Sequence, residues 1–598
     1  MKSDIMSRRD LDFLLFEWLR IEELTDRKRF ADHSRETFAG VLDLCEQIAT
    51  RYFAPHNKTS DAHEPSFDGT TVTVIPEVKA ALHAFARADL IGMSMDYGLG
   101  GAQLPTTVSA AGLAWFHAAN TATVAYVLLT QANANLLAAY GTPEQIERYV
   151  KPMVAGRFFG TMCLSETQAG SSLADIATRA EPCDDGTYRL FGSKMWISGG
   201  DHELAENIVH LVLAKIPGSP PGTKGISLFL VPKILVGGDG VLGERNDVVP
   251  TGLNHKMGYR GTTNAVLNFG EGAHTPGGEP GAVGYLVGQP HQGLRHMFHM
   301  MNEARLGVGL GAIALGYTGF LKSVRYASDR PQGRPVTAKD ASMPQVPIIS
   351  HPDVKRMLLA QKSYVEGALA LLLYCAKLID IARSSESEAE ADAATLLLDI
   401  LTPIAKSWPS QWCLEANSLA IQVHGGYGYT REYDVEQHYR DNRLNAIHEG
   451  THGIQSLDLL GRKVVQRGGA SLHALGHAMA QAISKAMAAG DETAASAAQL
   501  DAAWQRLVAV TTSMFASGDV AAAMANSVVY LEALGHIVIA WMWLEQLCAV
   551  SDHRGDFYDG KRQAARYFFG HELPKTGPAL DLLEKLDQTT LQMRPEWF

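Results

Sequence analysis

The chain has 598 residues, which is too long for one hydrophobic core, so we expect three or four domains or subdomains. Hydrophobic residues make up 46% and charged residues 19%, and the formal charge of −12 excludes a general electrostatic attraction to nucleic-acid backbones or anionic membranes. The six cysteines form no Cys-x-x-Cys pair, which indicates reduced thiols in a cytosolic protein rather than a disulfide framework or a metal site.

The N-terminal extension, residues 1–34, mixes acidic and basic side chains among apolar ones, unlike a signal peptide. Within it, residues 10–30 predict a short amphipathic helix or a hairpin. Residues 35–158 predict a helical domain, because apolar side chains recur at helical spacing, as between Leu42 and Phe53.

A small β domain is predicted over residues 159–289, where strand-like runs are bounded by Gly, Pro, Asn and Asp. The runs are Tyr188–Phe191, Ile208–Ala214, Ile226–Val231, Ala265–Phe269 and Val283–Val287. No Gly-x-Gly-x-x-Gly motif opens a βα unit, and the chain lacks the strand–helix alternation of a doubly wound fold.

Helical periodicity returns over residues 290–466, which we predict to be a second helical domain. Two interruptions fall inside it, Pro335–Pro347 and the acidic Ser384–Asp392, and the acidic one predicts a solvated connection between helices. The longest apolar runs, Ala368–Ala376 and Ile537–Leu544, are too short to span a bilayer, so no integral membrane segment is expected.

The tail, residues 467–598, predicts an additional C-terminal helical domain. Apolar residues recur through Trp504–Phe515 and Val528–Leu547, so we expect Trp541 and Trp543 in a core or an interface. The tail holds ten Lys and Arg against fourteen Asp and Glu, a net of −4. The predicted fold class is therefore mostly α with a central β domain.

One carboxylate, Glu449, stands in an apolar, glycine-flanked stretch, Asn445–Gln455. A lone carboxylate beside small residues suits a general base that approaches a substrate closely. The tripeptide Glu-Gly-Thr is also typical of a helix start, where acids are favoured. A helix cap, or an ion pair with a neighbouring lysine, is therefore the alternative role for Glu449.

Further stretches have features that suit a nucleotide cofactor. Small hydroxyl and glycine residues in Met162–Ser172 suit a flavin edge or a phosphate, although a Ser/Gly surface turn has the same composition. In Gly192–Gly200, Trp196 and Ser198 would share one face of a regular strand, so that the indole covers a planar ring; the alternative is a tryptophan at a domain boundary.

Two more stretches are less specific. Asn254–Thr262 predicts a tight turn before a strand. Asn302–Arg305 lies on a predicted helix, and the polar loop Ser328–Arg334 follows it. An arginine in such a loop can bind a pyrophosphate with two hydrogen bonds, although most exposed arginines are simply solvated.

Together and in this order, the motifs resemble those of the acyl-CoA dehydrogenases over about residues 40–466. The length, the Phe13–Glu17 element, the insert before His351 and the ending Glu449–Gln455 are similar to the long subgroup with an additional helical C-terminal domain. That subgroup includes broad-range bacterial β-oxidation enzymes and 3-methylmercaptopropionyl-CoA dehydrogenases. The resemblance implies a helical domain, a small β-barrel or sandwich domain and a helical bundle, with FAD bound between the last two.

The resemblance also implies site residues. Glu449 would be the catalytic base. The cofactor-binding residues would be Met162, Leu164, Ser165, Trp196, Ser198, Arg330, Gln332, Gln422, Gly425, Gly426 and Thr451. The substrate-binding residues would be Ser171, Asn302, Arg305, His448 and Gly450. Arg330 and the stretch from Gln422 would reach the FAD of a neighbouring subunit, in a homodimer or a dimer of dimers.

The implied activity is α,β-dehydrogenation of a fatty acyl-CoA to a trans-2-enoyl-CoA in the cytoplasm, with electrons passing to an electron-transfer flavoprotein. One alternative is an acyl-CoA oxidase that uses O2. Another is a non-metabolic, nucleic-acid-associated protein on the same fold, which would need a basic C-terminal face. The tail charge of −4 disfavours nucleic-acid binding, although four basic residues cluster locally, Arg554, Lys561, Arg562 and Arg566.

Four residues, at three places in the chain, depart from the family pattern. His448 stands where an aromatic residue, usually Tyr, precedes the base. Thr167-Gln168 replaces the usual Pro-Gly, and Ala304 replaces a hydroxyl residue of some relatives. The first departure is expected to alter the acyl pocket, and none of them removes the base.

Overall fold

A computed structural model of the chain describes residues 3–337, 340 and 342–598, so the predicted extension 1–34 and the interruption Pro335–Pro347 lie partly outside the described residues. The chain divides into two compact units. One unit is Glu36–Gly307, and the other joins the residues up to Arg35 with Val308–Phe598.

Helices form the chain up to residue 154. They are α1 (Arg8–Asp12), α2 (Arg35–Ile48), α3 (Asn57–Ala62), α4 (Pro76–Arg87), α5 (Thr106–Tyr140), α6 (Pro143–Gln145) and α7 (Lys151–Val154). The N-terminal extension is helical rather than a hairpin, because a π-helical turn, Phe13–Trp18, continues α1. Its apolar side chains, such as Phe13 and Leu14, are fully buried.

Strands fill the region between residues 158 and 286, after a short hairpin near residue 70. They are β1 (Ser66–Phe67), β2 (Val72–Thr73), β3 (Phe158–Cys163), β4 (Arg179–Pro182), β5 (Tyr188–Ser198), β6 (Asn207–Lys215), β7 (Ile226–Pro232), β8 (Ile234–Val236), β9 (Leu242–Arg245), β10 (Val248–Leu253), β11 (Asn264–Phe269) and β12 (Ala282–Leu286). All five predicted runs form strands. The main sheet has the order β10-β11-β5-β12-β7-β6-β3, with β4 beside β5 and β6.

Helices form the rest of the chain. They are α8 (Gly293–Asp329), α9 (Pro352–Ser384), α10 (Glu388–His424), α11 (Val435–Arg443), α12 (His452–Asp458), α13 (Gln466–Met487), α14 (Asp491–Ala516), α15 (Val520–Ala525), α16 (Ser527–Val550), α17 (Asp556–Tyr567), α18 (Thr576–Glu584) and α19 (Thr589–Gln592). The predicted class, mostly α with a central β domain and an additional C-terminal helical region, is confirmed.

Helix α5 fixes the strand that leads to the first cofactor motif. Asn133 Nδ2 donates to Thr161 O at 3.0 Å and to Val209 O at 2.9 Å, and Gly160 N donates to Thr130 Oγ1 at 3.0 Å. A side chain at Gly160 would meet Asn133 within 2.6 Å, so glycine is required where β3 approaches the helix. The carboxyl end of β3 is thereby held in place.

The acidic interruption is shorter than the sequence predicts. Helix α9 ends at Ser384 and α10 begins at Glu388, so the connection is confined to residues 385–387. Ser387 caps α10 by accepting a hydrogen bond from Glu390 N at 3.4 Å. Glu388 and Glu390 lie in the first turn of α10, where the helix dipole favours carboxylates. The predicted connection is therefore wrong for the part from Glu388 onwards.

The C-terminal region packs on α9 and α10 of its own chain. Trp543 is fully buried and its Nε1 donates to Ser363 O at 3.0 Å, while Trp541 is 1% exposed, as predicted for core residues. Lys561 is buried in an ion pair, and Arg562 and Arg566 pair with Asp559 and Glu492. Three of the four residues of the local basic cluster therefore have acidic partners within the fold, while Arg554 donates to the carbonyls of Ser551 and His553.

In the part of the chain that the structure describes, two helices, α8 and α16, are long and apolar enough to cross a bilayer. Their most apolar windows have mean hydropathies of 1.3 and 1.5, and 78% and 83% of those windows are buried inside the fold. The run Ile537–Leu544 is only part of α16, and the whole helix is long enough to cross a bilayer. The argument from the length of that run is therefore wrong. Burial in the core accounts for this composition in both helices.

Candidate active site

The predicted site residues are divided between the two units. The unit Glu36–Gly307 contains Met162, Leu164, Ser165, Ser171, Trp196, Ser198, Asn302 and Arg305. The other unit contains Arg330, Gln332, Gln422, Gly425, Gly426, His448, Glu449, Gly450 and Thr451. Within each unit the predicted residues form smaller groups, several of them held by buried polar side chains.

In the first unit, the chain after β3 is fastened to β5. Met195 N donates to Ser165 O at 3.0 Å, and Lys194 Nζ donates to Leu164 O at 3.0 Å. Lys194 Nζ also lies 2.9 Å from the Glu166 carboxylate, and both side chains are buried. The two predicted flavin-contacting stretches are therefore neighbours.

Glu166 is the centre of this junction. Its carboxylate accepts hydrogen bonds from Ala177 N at 2.7 Å, from Thr178 N at 3.0 Å and from Thr178 Oγ1 at 2.6 Å. Burial alone would raise the pKa of Glu166, but the Lys194 charge and these hydrogen bonds lower its pKa to about 2. Glu166 thus stays ionised and holds the loop that follows β3.

Trp196 lies on a β-bulge rather than on a regular strand. Met195 and Trp196 together face the single residue Val266 of β11, and Trp196 has a φ of 66°. The strict alternation that places Trp196 and Ser198 on one face is therefore interrupted here. The indole is 58% exposed, while Ser198 Oγ accepts a hydrogen bond from Asn264 Nδ2 at 3.1 Å.

The predicted substrate residues of this unit differ in exposure. Ser171 and Asn302 are exposed, whereas Arg305 is 3% exposed. The Arg305 guanidinium donates to Asn302 Oδ1 at 3.4 Å and lies 5.9 Å from the Phe298 ring centroid. Asn302 and Arg305 thus meet about three turns into α8.

In the second unit, Arg330 lies beside the glycine-rich turn that follows α10. Its guanidinium is 5.6 Å from the ring centroid of Tyr427, which is half exposed. Gly425 has a φ of 61° and its N–H donates to Gln422 O, so the chain turns sharply there. Arg330, Gln422 and the turn form one exposed surface, and Gln332 lies close by in sequence with its N–H bonded to Val346 O.

Glu449 lies in a reversed loop between α11 and α12. Its φ is 53° and that of Gly450 is 88°, so two consecutive residues have left-handed backbones. For a glutamate this costs about 1–3 kcal/mol, and such strain is concentrated at functional sites. A side chain at Gly450 would also meet Gln455 Nε2 at 2.6 Å, which explains glycine after the glutamate.

The helix cap belongs to Thr451, not to Glu449. Thr451 Oγ1 accepts a hydrogen bond from Ile454 N at 3.3 Å at the start of α12. Its hydroxyl hydrogen can donate in addition. The capping alternative for Glu449 therefore does not describe this loop.

Buried side chains of neighbouring helices bond the loop carbonyls. Gln455 Nε2 donates to Glu449 O at 2.9 Å. Lys406 of α10 is fully buried, and its Nζ donates to Asn445 O at 2.8 Å and to Gly450 O at 2.7 Å. Sequence reasoning missed Lys406, Lys194 and Glu166. A lone charge within an apolar stretch was the available signal for Lys406.

A chain of buried amides orients His448. Its Nε2 donates to Asn445 Oδ1 at 3.1 Å, Asn445 Nδ2 donates to Asn442 Oδ1 at 3.0 Å, and Asn442 Nδ2 donates to Asn417 Oδ1 at 2.7 Å. Desolvation and the Lys406 charge lower the pKa of His448 to about 3. His448 is therefore neutral near pH 7 and places no positive charge beside Glu449.

The residues present fit FAD. A tryptophan that is 58% exposed and held at a left-handed φ is unfavourable in water, and a planar ring would cover it. Met162, Leu164 and Ser165 nearby are half-buried. Taken by itself, the other unit has an exposed arginine beside a glycine-rich turn, which suits a pyrophosphate.

Family models match most of the chain. Residues 39–157, 161–271 and 291–465 match the N-terminal, middle and C-terminal domains of acyl-CoA dehydrogenase. Residues 475–594 match a model described as acetyl-CoA dehydrogenase C-terminal like.

Curated relatives and solved structures agree. The chain is 35% identical to the 3-methylmercaptopropionyl-CoA dehydrogenase of Ruegeria pomeroyi, over 88% of this chain and 87% of the relative. It is 33% identical to the broad-specificity linear acyl-CoA dehydrogenase FadE5 of Mycobacterium tuberculosis, over 98% of each.

An acyl-CoA dehydrogenase of Bacillus anthracis, solved in complex with FAD, has a similar fold. Its TM-score is 0.75 with 19% identity, over 95% of this chain and 91% of that one. The motifs, the fold and these relatives lead to one conclusion. The chain belongs to the acyl-CoA dehydrogenase family of FAD-dependent oxidoreductases.

Proposed function

We propose that the protein dehydrogenates an unbranched fatty acyl-CoA between Cα and Cβ, with Glu449 as the base, and gives a trans-2-enoyl-CoA. The observation that carries the proposal is the Glu449–Gly450 reversal, whose carbonyls are bonded by Gln455 and Lys406. Strain retained at one carboxylate is typical of a functional residue rather than a structural one.

In this proposal, the Glu449 carboxylate takes the α-proton of the thioester. When bound, FAD supplies the two-electron acceptor for the β-hydrogen. The Glu449 N–H would polarise the thioester oxygen, which makes the α-proton more acidic. His448 would orient the acyl-CoA as it approaches Glu449. Because His448 is neutral, it does not neutralise the Glu449 carboxylate.

Met162, Leu164, Ser165, Trp196 and Ser198 would hold the flavin ring in the unit Glu36–Gly307. Arg330, Gln332, Gln422, Gly425, Gly426 and Thr451 would hold the cofactor phosphates and the adenine half, with Arg330 and the stretch from Gln422 reaching the FAD of a neighbouring subunit. Ser171, Asn302, Arg305, His448 and Gly450 would contact the acyl-CoA.

The names of two relatives support an unbranched substrate, since one acts on linear acyl-CoA and the other on 3-methylmercaptopropionyl-CoA. We test this with a chain-length series of linear acyl-CoA thioesters, with isobutyryl-CoA as the branched comparison, by following dye reduction. The proposal expects the higher kcat/KM for a linear chain. A preference for the branched thioester would contradict it.

We further propose electron-transfer flavoprotein as the acceptor, in the cytoplasm. Neither the oxidase nor the nucleic-acid-associated alternative is favoured by the comparisons. Stoichiometric peroxide formation in air, at a rate matching turnover with the flavoprotein, would favour the oxidase instead.

A further inference from the structure

Lys406 is a fully buried lysine on α10, and its position requires an explanation. Its two hydrogen bonds to the loop go to neutral backbone carbonyls, Asn445 O at 2.8 Å and Gly450 O at 2.7 Å. Moving an ammonium group out of water is costly, and a methionine would fill the same space without that cost. Packing alone therefore does not account for lysine here.

The two carbonyls lie on either side of Glu449. Because Glu449 and Gly450 have left-handed backbones, a regular helix cannot continue through the loop. Asn445 ends the segment that enters the loop, and Gly450 begins the segment that leaves it. One ammonium group thus joins the entry and the exit of the loop, with Glu449 between them.

Neighbouring residues extend the same support. Ser407, next to Lys406, has its Oγ 2.5 Å from His452 Nδ1 at the first residue of α12. The Asn445 side chain, in turn, bonds His448. Helix α10 therefore bonds the loop and the first residue of α12 directly, and it reaches the residue before the base through Asn445.

We infer that Lys406 is a positioning residue, which holds Glu449 in the left-handed conformation required for proton abstraction. This inference rests on the proposed role of Glu449. It assigns Lys406 no contact with substrate or cofactor. A merely structural lysine would change stability without changing the rate of each folded, FAD-loaded molecule.

The test compares Lys406→Met with Lys463→Met in the full-length holoenzyme. Lys463 is also a buried lysine of this unit, but its Nζ pairs with Asp399 at 2.8 Å. We expect Lys406→Met to lower the rate of anaerobic flavin reduction about 10- to 100-fold and to change KM less than about threefold. This is the range expected when a residue that orients a catalytic group is removed. Lys463→Met should keep the rate within about twofold.

Hydrogen exchange provides a readout that does not depend on activity. Lys406→Met should speed amide exchange in the segment 444–451, and Lys463→Met should leave that segment unchanged. If Lys406→Met does not fold, Lys406→Arg and Lys406→Gln are compared instead. Lys406→Arg keeps the hydrogen-bond donors, so its amides in this segment should exchange more slowly than those of Lys406→Gln.

The outcomes separate the inference from the proposed function. Normal reduction in Glu449→Gln would remove the proposed base, whatever Lys406 does. Loss of reduction in Glu449→Gln, together with wild-type reduction and exchange in Lys406→Met, would overturn the role of Lys406 alone. Equal rate losses in Lys406→Met and Lys463→Met would overturn it too.

Discussion

Lys561 Nζ of α17 lies 2.5 Å from the Asp10 carboxylate of α1, and both side chains are buried. Lys561 also lies 2.8 Å from Glu366 of α9, and Tyr317 OH donates to Asp10 at 2.9 Å. The N-terminal segment, the helical bundle and the C-terminal region of one unit thus meet at a single ammonium group.

We predict that Lys561→Met lowers the free energy of unfolding by about 3–5 kcal/mol, since it leaves two carboxylates buried without their shared cation. Thermal and urea unfolding measure this free energy. The double variant Asp10→Asn with Lys561→Met should regain part of the stability that Lys561→Met loses. Arg566→Met, which removes an exposed pair with Glu492, should cost at most about 1 kcal/mol. Equal losses in the two single variants would refute the prediction.

The Lys194–Glu166 pair predicts an effect on cofactor retention. Lys194→Met should weaken FAD binding to the apoprotein, because Leu164 O loses its donor and the loop after β3 keeps fewer bonds to β5. We expect about a tenfold higher Kd, equivalent to one hydrogen bond of about 1.4 kcal/mol. Lys233→Met is the matched control, since Lys233 is also buried in this unit but pairs with Asp201. Unchanged FAD affinity in folded Lys194→Met would argue against the assignment.

If Arg330 binds the FAD of a neighbouring subunit, subunit assembly and FAD binding should depend on each other. Sedimentation of the holoenzyme should show a homodimer or a dimer of dimers with about one FAD per chain. Arg330→Met should lose FAD affinity about 10- to 100-fold, as expected for a charge-assisted bond to a phosphate of about 1.5–3 kcal/mol. Arg431→Met, in a nearby exposed turn, should not. An active monomer saturated with FAD would contradict the shared site.

Four buried histidines and the half-buried His448 lead us to predict a loss of stability in mild acid. Desolvation is the main cause that lowers the pKa to about 3 in each of them, which are His117, His202, His210, His438 and His448. Unfolded histidine has a pKa of about 6.5, so between pH 6.5 and 3 the unfolded chain binds the extra protons. Stability should therefore fall as the pH drops below 6.5, by up to about 1.4 kcal/mol per pH unit for each histidine.

Melting temperature measured from pH 7 to pH 4.5 checks this. His117→Gln should flatten the curve, and His553→Gln, at an exposed position, should leave its slope unchanged. A melting temperature that does not change with pH over this range would show that these imidazoles are solvated.

The sequence predicted the elements that depend on local patterns. The five strand runs, the helical tail and the buried Trp541 and Trp543 follow from periodicity and apolar content. The sequence did not predict contacts between residues that are far apart along the chain. Lys194 pairs with a residue 28 positions away, and Lys406 bonds residues 39 and 44 positions further along.

The bulge at Trp196 shows a second limit. Alternation assumes a regular strand, and the extra residue opposite Val266 is decided by pairing with β11 rather than by the local sequence. The acidic residues after Ser387 show a third, since a charged run and a helix N-terminus have the same composition. Similarly, the sequence Glu-Gly-Thr does not show which residue caps α12, and the structure shows that the cap is Thr451 rather than Glu449.

The central claim is that Glu449 abstracts the α-proton, and anaerobic flavin reduction by acyl-CoA in Glu449→Gln tests it most directly. Glutamine has nearly the same shape, so FAD and ligand binding should persist, and Glu436→Gln on α11 is the matched control. We expect the reduction rate to fall by about 10²–10⁴ or more, while the spectral shift of bound ligand remains. Near-normal reduction in a folded, FAD-loaded Glu449→Gln protein would contradict the account and would place the base elsewhere.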